Sequence, residues 1–289
     1  MNVHDHVIPV ISDSKSGYTL IKCREWTGDR SPSFVVGIIH GLGEHSQRYT
    51  HVAKHFVENN AAVYAIDQRG HGLTGGSLPH FDTLVQDTGA LESFLRLARP
   101  GLPIFLYGQS LGGSVVINYL LRKSNRLAGA ISMSPLLSTT FPPPAWKLTV
   151  AKLLGRWWPN LTLSTALKPE ELSHDPQAVA EYVNDPMVHQ RVSAVLGLSM
   201  LEAGRWAVEH ADQLKTPLLL MHGTEDKITS HAKSQEFAQR AGEACTWIEW
   251  PGLYHDMHWE PQRHRLFETM TRFIESRIAC ATSPAGQPE

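Results

Sequence analysis

The most constraining stretch of the chain runs from Pro103 to Arg122. Pro103-Ile104-Phe105-Leu106-Tyr107 is a short apolar run of strand type, and Ser114 to Arg122 spaces Val115, Val116, Tyr119 and Leu120 as a helix does. Between them lies Gly108-Gln109-Ser110-Leu111-Gly112, a serine with a glycine two residues to either side. A chain that passes from strand to helix this quickly has to turn sharply, and the glycines give it room. The serine hydroxyl is then pushed out over the carboxyl edge of a sheet, beside a helix N-terminus whose unpaired N–H groups and dipole favour developing negative charge.

The rest of the sequence repeats that strand-then-helix order. Tyr18 to Trp26 reads as a strand, and Ser33 to His40 and Ala61 to Asp67 as buried strands without polar alternation, as in a parallel sheet covered on both faces. Helices are expected over Gln47 to Asn59 and Phe81 to Leu97. Beyond the serine corner come strands at Leu127 to Met133, Pro217 to Met221 and Cys245 to Trp250, with helices at Ser230 to Arg240 and Gln262 to Arg277. The spacing predicts an α/β fold with a mainly parallel central sheet flanked by helices. From Leu136 to Thr216 no strand signal is present, and helical stretches are punctuated by Phe141-Pro142-Pro143-Pro144, Trp158-Pro159, Lys168-Pro169, Asp175-Pro176 and Asp185-Pro186. We expect residues 1–135 and 217–280 to form the core, 136–216 a helical cap inserted on its carboxyl side, and 281–289 a disordered tail.

At 289 residues, with 42% hydrophobic and 19% charged residues, the chain is long enough to bury one large core with an insertion. A net charge of −2 gives no general attraction to nucleic acid or to acidic membranes. Cys23, Cys245 and Cys280 are odd in number and widely spaced, which suits free thiols in a reducing compartment. With no signal-type start and no long apolar run, a cytoplasmic chain is expected, as a monomer or weak homo-oligomer.

A serine hydroxyl is a weak nucleophile and needs a base and an orienting acid. The loop after the Pro217 strand reads His222-Gly223-Thr224-Glu225-Asp226-Lys227-Ile228, and the loop after the Cys245 strand reads Pro251-Gly252-Leu253-Tyr254-His255-Asp256-Met257-His258. Both leave carboxyl ends of expected strands, so Asp226 and His255 are the preferred acid and base, with Glu225 and His258 as rivals. Gly70-His71-Gly72-Leu73-Thr74-Gly75 fits a dinucleotide fingerprint in spelling, but Gly76 and Pro79 stand where that site needs a helix. It is read as a turn, with Asp67 and Arg69 bracing loops. His255-x-x-His258 lacks the carboxylate and helical setting of a zinc site, so no metal and no cofactor are expected.

Five stretches together resemble the monoglyceride lipase and lysophospholipase group of the α/β-hydrolases: His40-Gly-Leu-Gly-Glu-His-Ser-Gln-Arg-Tyr49, Asp67-Gln-Arg-Gly-His-Gly72, the serine corner, His222-Gly-Thr-Glu-Asp226-Lys-Ile and Tyr254-His-Asp-Met-His-Trp-Glu260. The resemblance covers nearly the whole chain, although the cap matches in Asn184-Asp185-Pro186 and little else. It implies a catalytic triad of Ser110, Asp226 and His255, in the chain order of that fold. It also implies that Glu44, Arg48 and His258 line the pocket for the alcohol part of an ester. An oxyanion hole needs two N–H donors, one of them from the residue after the nucleophile, Leu111. The second belongs to the loop after the Ser33 strand, where the resemblance selects Leu42.

These expectations describe a serine hydrolase acting on lipid esters, monoacylglycerol first. A lysophospholipase, a general carboxylesterase and, in a different class, a non-catalytic ligand receptor on the same fold are the alternatives. Trp146 to Trp158, with Leu148, Val150, Leu153, Leu154 and Trp157 on one side and Lys147, Lys152 and Arg156 on the other, reads either as a cap helix packed on its neighbours or as one that docks on lipid. The pair Trp157-Trp158 favours contact with a membrane.

Overall fold

A computed structural model describes residues 1–11, 17–141, 144–158 and 161–282. The elements, in chain order, are strands β1 (Asn2–Ile11), β2 (Tyr18–Thr27) and β3 (Phe34–Ile39), helix α1 (Thr50–Glu58), β4 (Ala61–Ile66), α2 (Phe81–Ala98), β5 (Ile104–Gln109), α3 (Leu111–Arg122) and β6 (Gly129–Met133). They continue with α4 (Ala145–Trp157), β7 (Thr162–Ser164), α5 (Pro176–Asn184), β8 (Arg191–Ser193), α6 (Ala194–Glu209), β9 (Leu218–Gly223), α7 (His231–Ala241), β10 (Cys245–Trp250) and α8 (Arg263–Thr282).

Eight strands form one sheet in the order β1-β2-β4-β3-β5-β6-β9-β10, antiparallel at β1-β2 and β2-β4 and parallel from β4 onward. Every residue of β3, β4, β5, β6 and β9 is buried, because helices cover both faces and neither face of a strand meets water. Alternate residues of one strand therefore enter different cores. Leu106 packs with Leu91, Leu95 and Val116 on one face, and Phe105 and Tyr107 with Phe56, Met257 and Ile274 on the other.

Four features depart from the sequence expectations. No strand was expected ahead of Tyr18, yet β1 pairs along its full length with β2, Ile8 and Val10 enter the core, and His6 meets Glu25 at 2.7 Å. The first residues of β1 include Asn2, His4, Asp5 and His6, which hides a strand from a reading based on apolar runs. The segment 136–216 contains strands after all, since β7 and β8 pair antiparallel as a small ribbon too short to show a sequence period. The stretch expected as one helix from Gln47 begins as a turn of 3-10 helix at Ser46–Tyr49. The tail expected from Ala281 starts inside α8; residues 283–289, together with Pro142, Pro143 and Pro159, lie outside the described residues.

The last helix of the inserted segment, α6, packs into the same layer as α2 and α3 through Leu196, Ala203 and Ala207. The other inserted elements reach back to the carboxyl edge by specific hydrogen bonds. His45 Nε2 and Asp185 Oδ2 are 2.8 Å apart, the His189 N–H donates to Gly43 O at 2.9 Å, and the Asp256 N–H donates to Leu172 O at 2.7 Å.

Candidate active site

Ser110 stands between β5 and α3 with φ 55 and ψ −117, a backbone conformation that an L-residue adopts only under strain of about 1–3 kcal/mol. The neighbouring glycines make that turn possible. A Cβ on Gly108 would overlap the Gly112 carbonyl, and one on Gly112 would overlap the Ile39 carbonyl of the adjoining strand. The Ser110 N–H donates to Met133 O at 3.0 Å, and its carbonyl accepts from Leu136 at 3.0 Å, so β6 and the chain beyond it hold the corner from the side.

The loops after β9 and β10 bring their polar groups to this serine. His255 Nε2 lies 2.9 Å from Ser110 Oγ, and His255 Nδ1 lies 2.7 Å from Asp226 Oδ2. Asp226 also accepts from the N–H groups of Ile228 and Thr229, at 2.7 and 2.9 Å, and from the Thr229 hydroxyl at 2.8 Å. His222 Nε2 is 3.0 Å from the same carboxylate. Burial opposes ionisation of Asp226, but the His255 imidazole and these donors outweigh it and hold the carboxyl far below the usual range. For His255, burial works against the charged form, while the Asp226 carboxylate beside Nδ1 raises the pKa to about 9. The carboxylate fixes Nδ1 as the donor and turns the Nε2 lone pair to the serine hydroxyl. The rivals stand elsewhere: Glu225 is exposed, and His258 is buried with its Nδ1 3.1 Å from His51 Nε2.

Leu111 is the first residue of α3, and its N–H precedes the helical ladder. Among the described residues neither it nor the Leu42 N–H has a hydrogen-bond acceptor. Gly43, with φ 79, turns the Leu42 loop against the His189 carbonyl so closely that a side chain there would overlap it. A cavity of about 680 Å³ opens over Ser110 and His255. Its walls include Leu42, Leu136, Leu163, Leu172, Leu201 and Ile228; Glu44, Gln109, Asp256 and Tyr182 are among its polar and aromatic members, as are Glu171, His189 and Lys227.

The residues expected at the alcohol end divide. Glu44 lines the cavity, while Arg48 and His258 stand behind its wall. Glu44 accepts from Arg48 Nε at 2.9 Å, the Tyr49 hydroxyl at 2.7 Å and the Gly41 N–H at 3.1 Å. Burial alone would raise its pKa; the Arg48 guanidinium and these hydrogen bonds lower it instead. The guanidinium carbon of Arg48 lies 5.0 Å from the Tyr182 ring centroid and 5.1 Å from that of Trp259. His258 stacks on Tyr49 and His51, and burial keeps it well below the ordinary histidine range, hence neutral. Sequence reasoning missed Gln109, Tyr182 and Asp256 as wall residues. Asp67 and Arg69 do brace loops, Asp67 accepting from Ser46 and Leu73 N–H groups and Arg69 forking onto Asp87. Among the described residues no group of three or more His, Cys, Asp or Glu side chains is arranged to hold a metal ion.

The family described as serine aminopeptidase, S33 matches residues 30–262, which include the serine corner and both loops. The chain belongs to that family. The family is one of hydrolases with the α/β-hydrolase fold, and the mainly parallel sheet with flanking helices agrees with it. An abhydrolase domain-containing protein of Dictyostelium discoideum is 36% identical over 261 residues, 89% of this chain, although the chain spans only 28% of that relative's length. The monoacylglycerol lipase of Mycolicibacterium smegmatis is 32% identical over 258 residues, covering 88% of this chain and 92% of that one. The crystal structure of Paleococcus ferrophilus monoacylglycerol lipase superposes with a TM-score of 0.82 at 31% identity, covering 89% of this chain and 99% of that one.

Proposed function

We propose that this hydrolase cleaves monoacylglycerols to fatty acid and glycerol through an acyl-enzyme on Ser110. The observation that carries the reading is the hydrogen-bonded series Ser110, His255, Asp226 at the floor of an apolar-walled cavity. His255 Nε2 takes the hydroxyl proton as Ser110 Oγ attacks the ester carbonyl, and Asp226 stabilises the imidazolium that forms. The N–H groups of Leu42 and Leu111 receive the oxyanion. The proton on Nε2 passes to the leaving glycerol oxygen, and water, deprotonated by the same nitrogen, releases the fatty acid.

The apolar wall suits one acyl chain, and Glu44 and its partners suit a small alcohol bearing hydroxyls. Monoacylglycerol has one chain and one such alcohol. The likeness to two monoacylglycerol lipases, each covered over most of its length, supports the same substrate. The enzyme would meet that lipid at a surface: Trp146, Trp157, Trp158 and Leu153 of the cap are exposed, and Phe141, also exposed, is on the cavity wall. Among the described residues no helix is long and apolar enough to cross a membrane, so the contact proposed is peripheral.

The test compares kcat/KM for lauroylglycerol, trilaurin and lauroyl lysophosphatidylcholine. A clear preference for lauroylglycerol is expected. Equal rates on all three, or a preference for the phospholipid, would refute the monoacylglycerol assignment, and the same panel on Ser110→Ala should show a loss of at least about 10⁴-fold.

A further inference from the structure

Asp256, the residue after His255, is a wall group that the chemistry above leaves without a task. It is only 4% exposed and lines the cavity together with Ser110, Glu44 and Gln109. Its Oδ1 accepts from Gln109 Nε2 at 2.7 Å, and its N–H is fixed by the cap through Leu172 O. On the other side of Gln109, Oε1 lies 3.4 Å from the Tyr49 hydroxyl that donates to Glu44. One polar chain thus links Glu44 to Asp256 past the residue preceding the nucleophile. Among the described residues Oδ2 of Asp256 has no hydrogen-bond partner, and it is not one of the unpaired polar atoms sealed from solvent.

We propose that Asp256 determines specificity at the alcohol side of the cavity: its Oδ2 receives a hydroxyl of a neutral alcohol and, with Glu44, turns away esters whose alcohol carries an anionic phosphate. The proposal rests on the function given above and narrows its substrate class. A hydroxyl both donates and accepts, so it pairs with Oδ2 whether Asp256 is ionised or neutral. A phosphate oxygen only accepts, so it pairs only with a protonated Asp256. Even then it meets Glu44, which Arg48, Tyr49 and the Gly41 N–H keep ionised. Burial and the Glu44 charge raise the Asp256 carboxyl to about 7, against the opposing pull of His255 and Arg48; Asp226 adds to the rise. Asp256 therefore loses its proton, and with it the donor it could offer an anion, within the neutral range; Lys227, Glu171 and His189 also line the cavity and are common to the wild type and any Asp256 variant.

The experiment measures kcat/KM for lauroylglycerol and for the methyl phosphodiester of the same lauroylglycerol, whose single charge is constant with pH. The ionisation of His255 affects both substrates and cancels in their ratio. In the wild-type enzyme the preference for the neutral ester should grow between about pH 6 and pH 8. Asp256→Asn keeps an acceptor for Gln109 and a permanent donor in place of Oδ2. It should flatten that dependence and lower the preference by about tenfold at the upper pH, the effect of one well-made hydrogen bond. A wild-type ratio constant with pH overturns the proposal, even if the variant does not fold. A ratio in Asp256→Asn that tracks the wild type also overturns it. Failure of the monoacylglycerol reading is separately visible, as wild-type hydrolysis of a p-nitrophenyl ester without hydrolysis of lauroylglycerol.

Discussion

At the scale of residues, the deciding pair is Asp226 and His255. In the proposed mechanism His255 must be neutral to accept the serine proton, so activity is expected to be lost as pH falls through its pKa. Asp226 raises that pKa to about 9, so the acidic limb of kcat/KM is expected above the position of a free imidazole. Asp226→Asn should move the limb to lower pH and reduce kcat by roughly 10⁴-fold, because the wrong tautomer then faces the serine. A limb that stays in place in the variant would mean that another group governs the profile. Glu44 and Arg48 give a second residue-scale outcome. They form a buried ion pair, and Arg48→Met should cost about 3–5 kcal/mol in unfolding free energy by stranding the carboxylate. Denaturant melts that agree within error would place the guanidinium outside the stability of the fold. Ser110, Asp226 and His255 were legible in the sequence because each follows the carboxyl end of an apolar run, where this fold delivers side chains to one edge. Asp256 and Gln109 were not, since no local period records that two polar residues 147 positions apart will share a hydrogen bond.

At the scale of elements, the corner between β5 and α3 concentrates the constraint. Gly112→Ala puts a methyl group into the carbonyls of Ile39 and His40, so loss of the folded state, or destabilisation beyond about 4 kcal/mol, is expected in thermal and denaturant melts. A stable, active Gly112→Ala enzyme would show that β3 and α3 can separate. The central strands were readable because they are buried on both faces and their residues are apolar without alternation. By contrast, β1 carries Asn2, His4, Asp5 and His6 and joins the sheet through its partner β2 and the bond of His6 to Glu25, contacts that composition does not reveal. The exposed helix α4 supplies another outcome. Trp157→Ala with Trp158→Ala should weaken sedimentation with lipid vesicles, while hydrolysis of a short soluble ester stays within about twofold, since exposed side chains contribute little to stability. A parallel fall of both activities with the melting temperature would make these tryptophans structural.

At the scale of the whole molecule, one sheet edge gathers the parts of the site from separate stretches of sequence: Leu42 after β3, Ser110 after β5, Asp226 after β9 and His255 after β10. The segment between β6 and β9 packs against that edge through the contacts of Asp185, His189 and Leu172. The central claim is that monoacylglycerol hydrolysis passes through Ser110. Its most direct test is titration of lauroylglycerol hydrolysis with a fluorophosphonate, with peptide mass mapping of the adduct. The account predicts stoichiometric phosphonylation of Ser110, with activity falling in proportion to label and vanishing when labelling is complete. Hydrolysis that persists in fully labelled enzyme, or inactivation with the label on another residue, would contradict it.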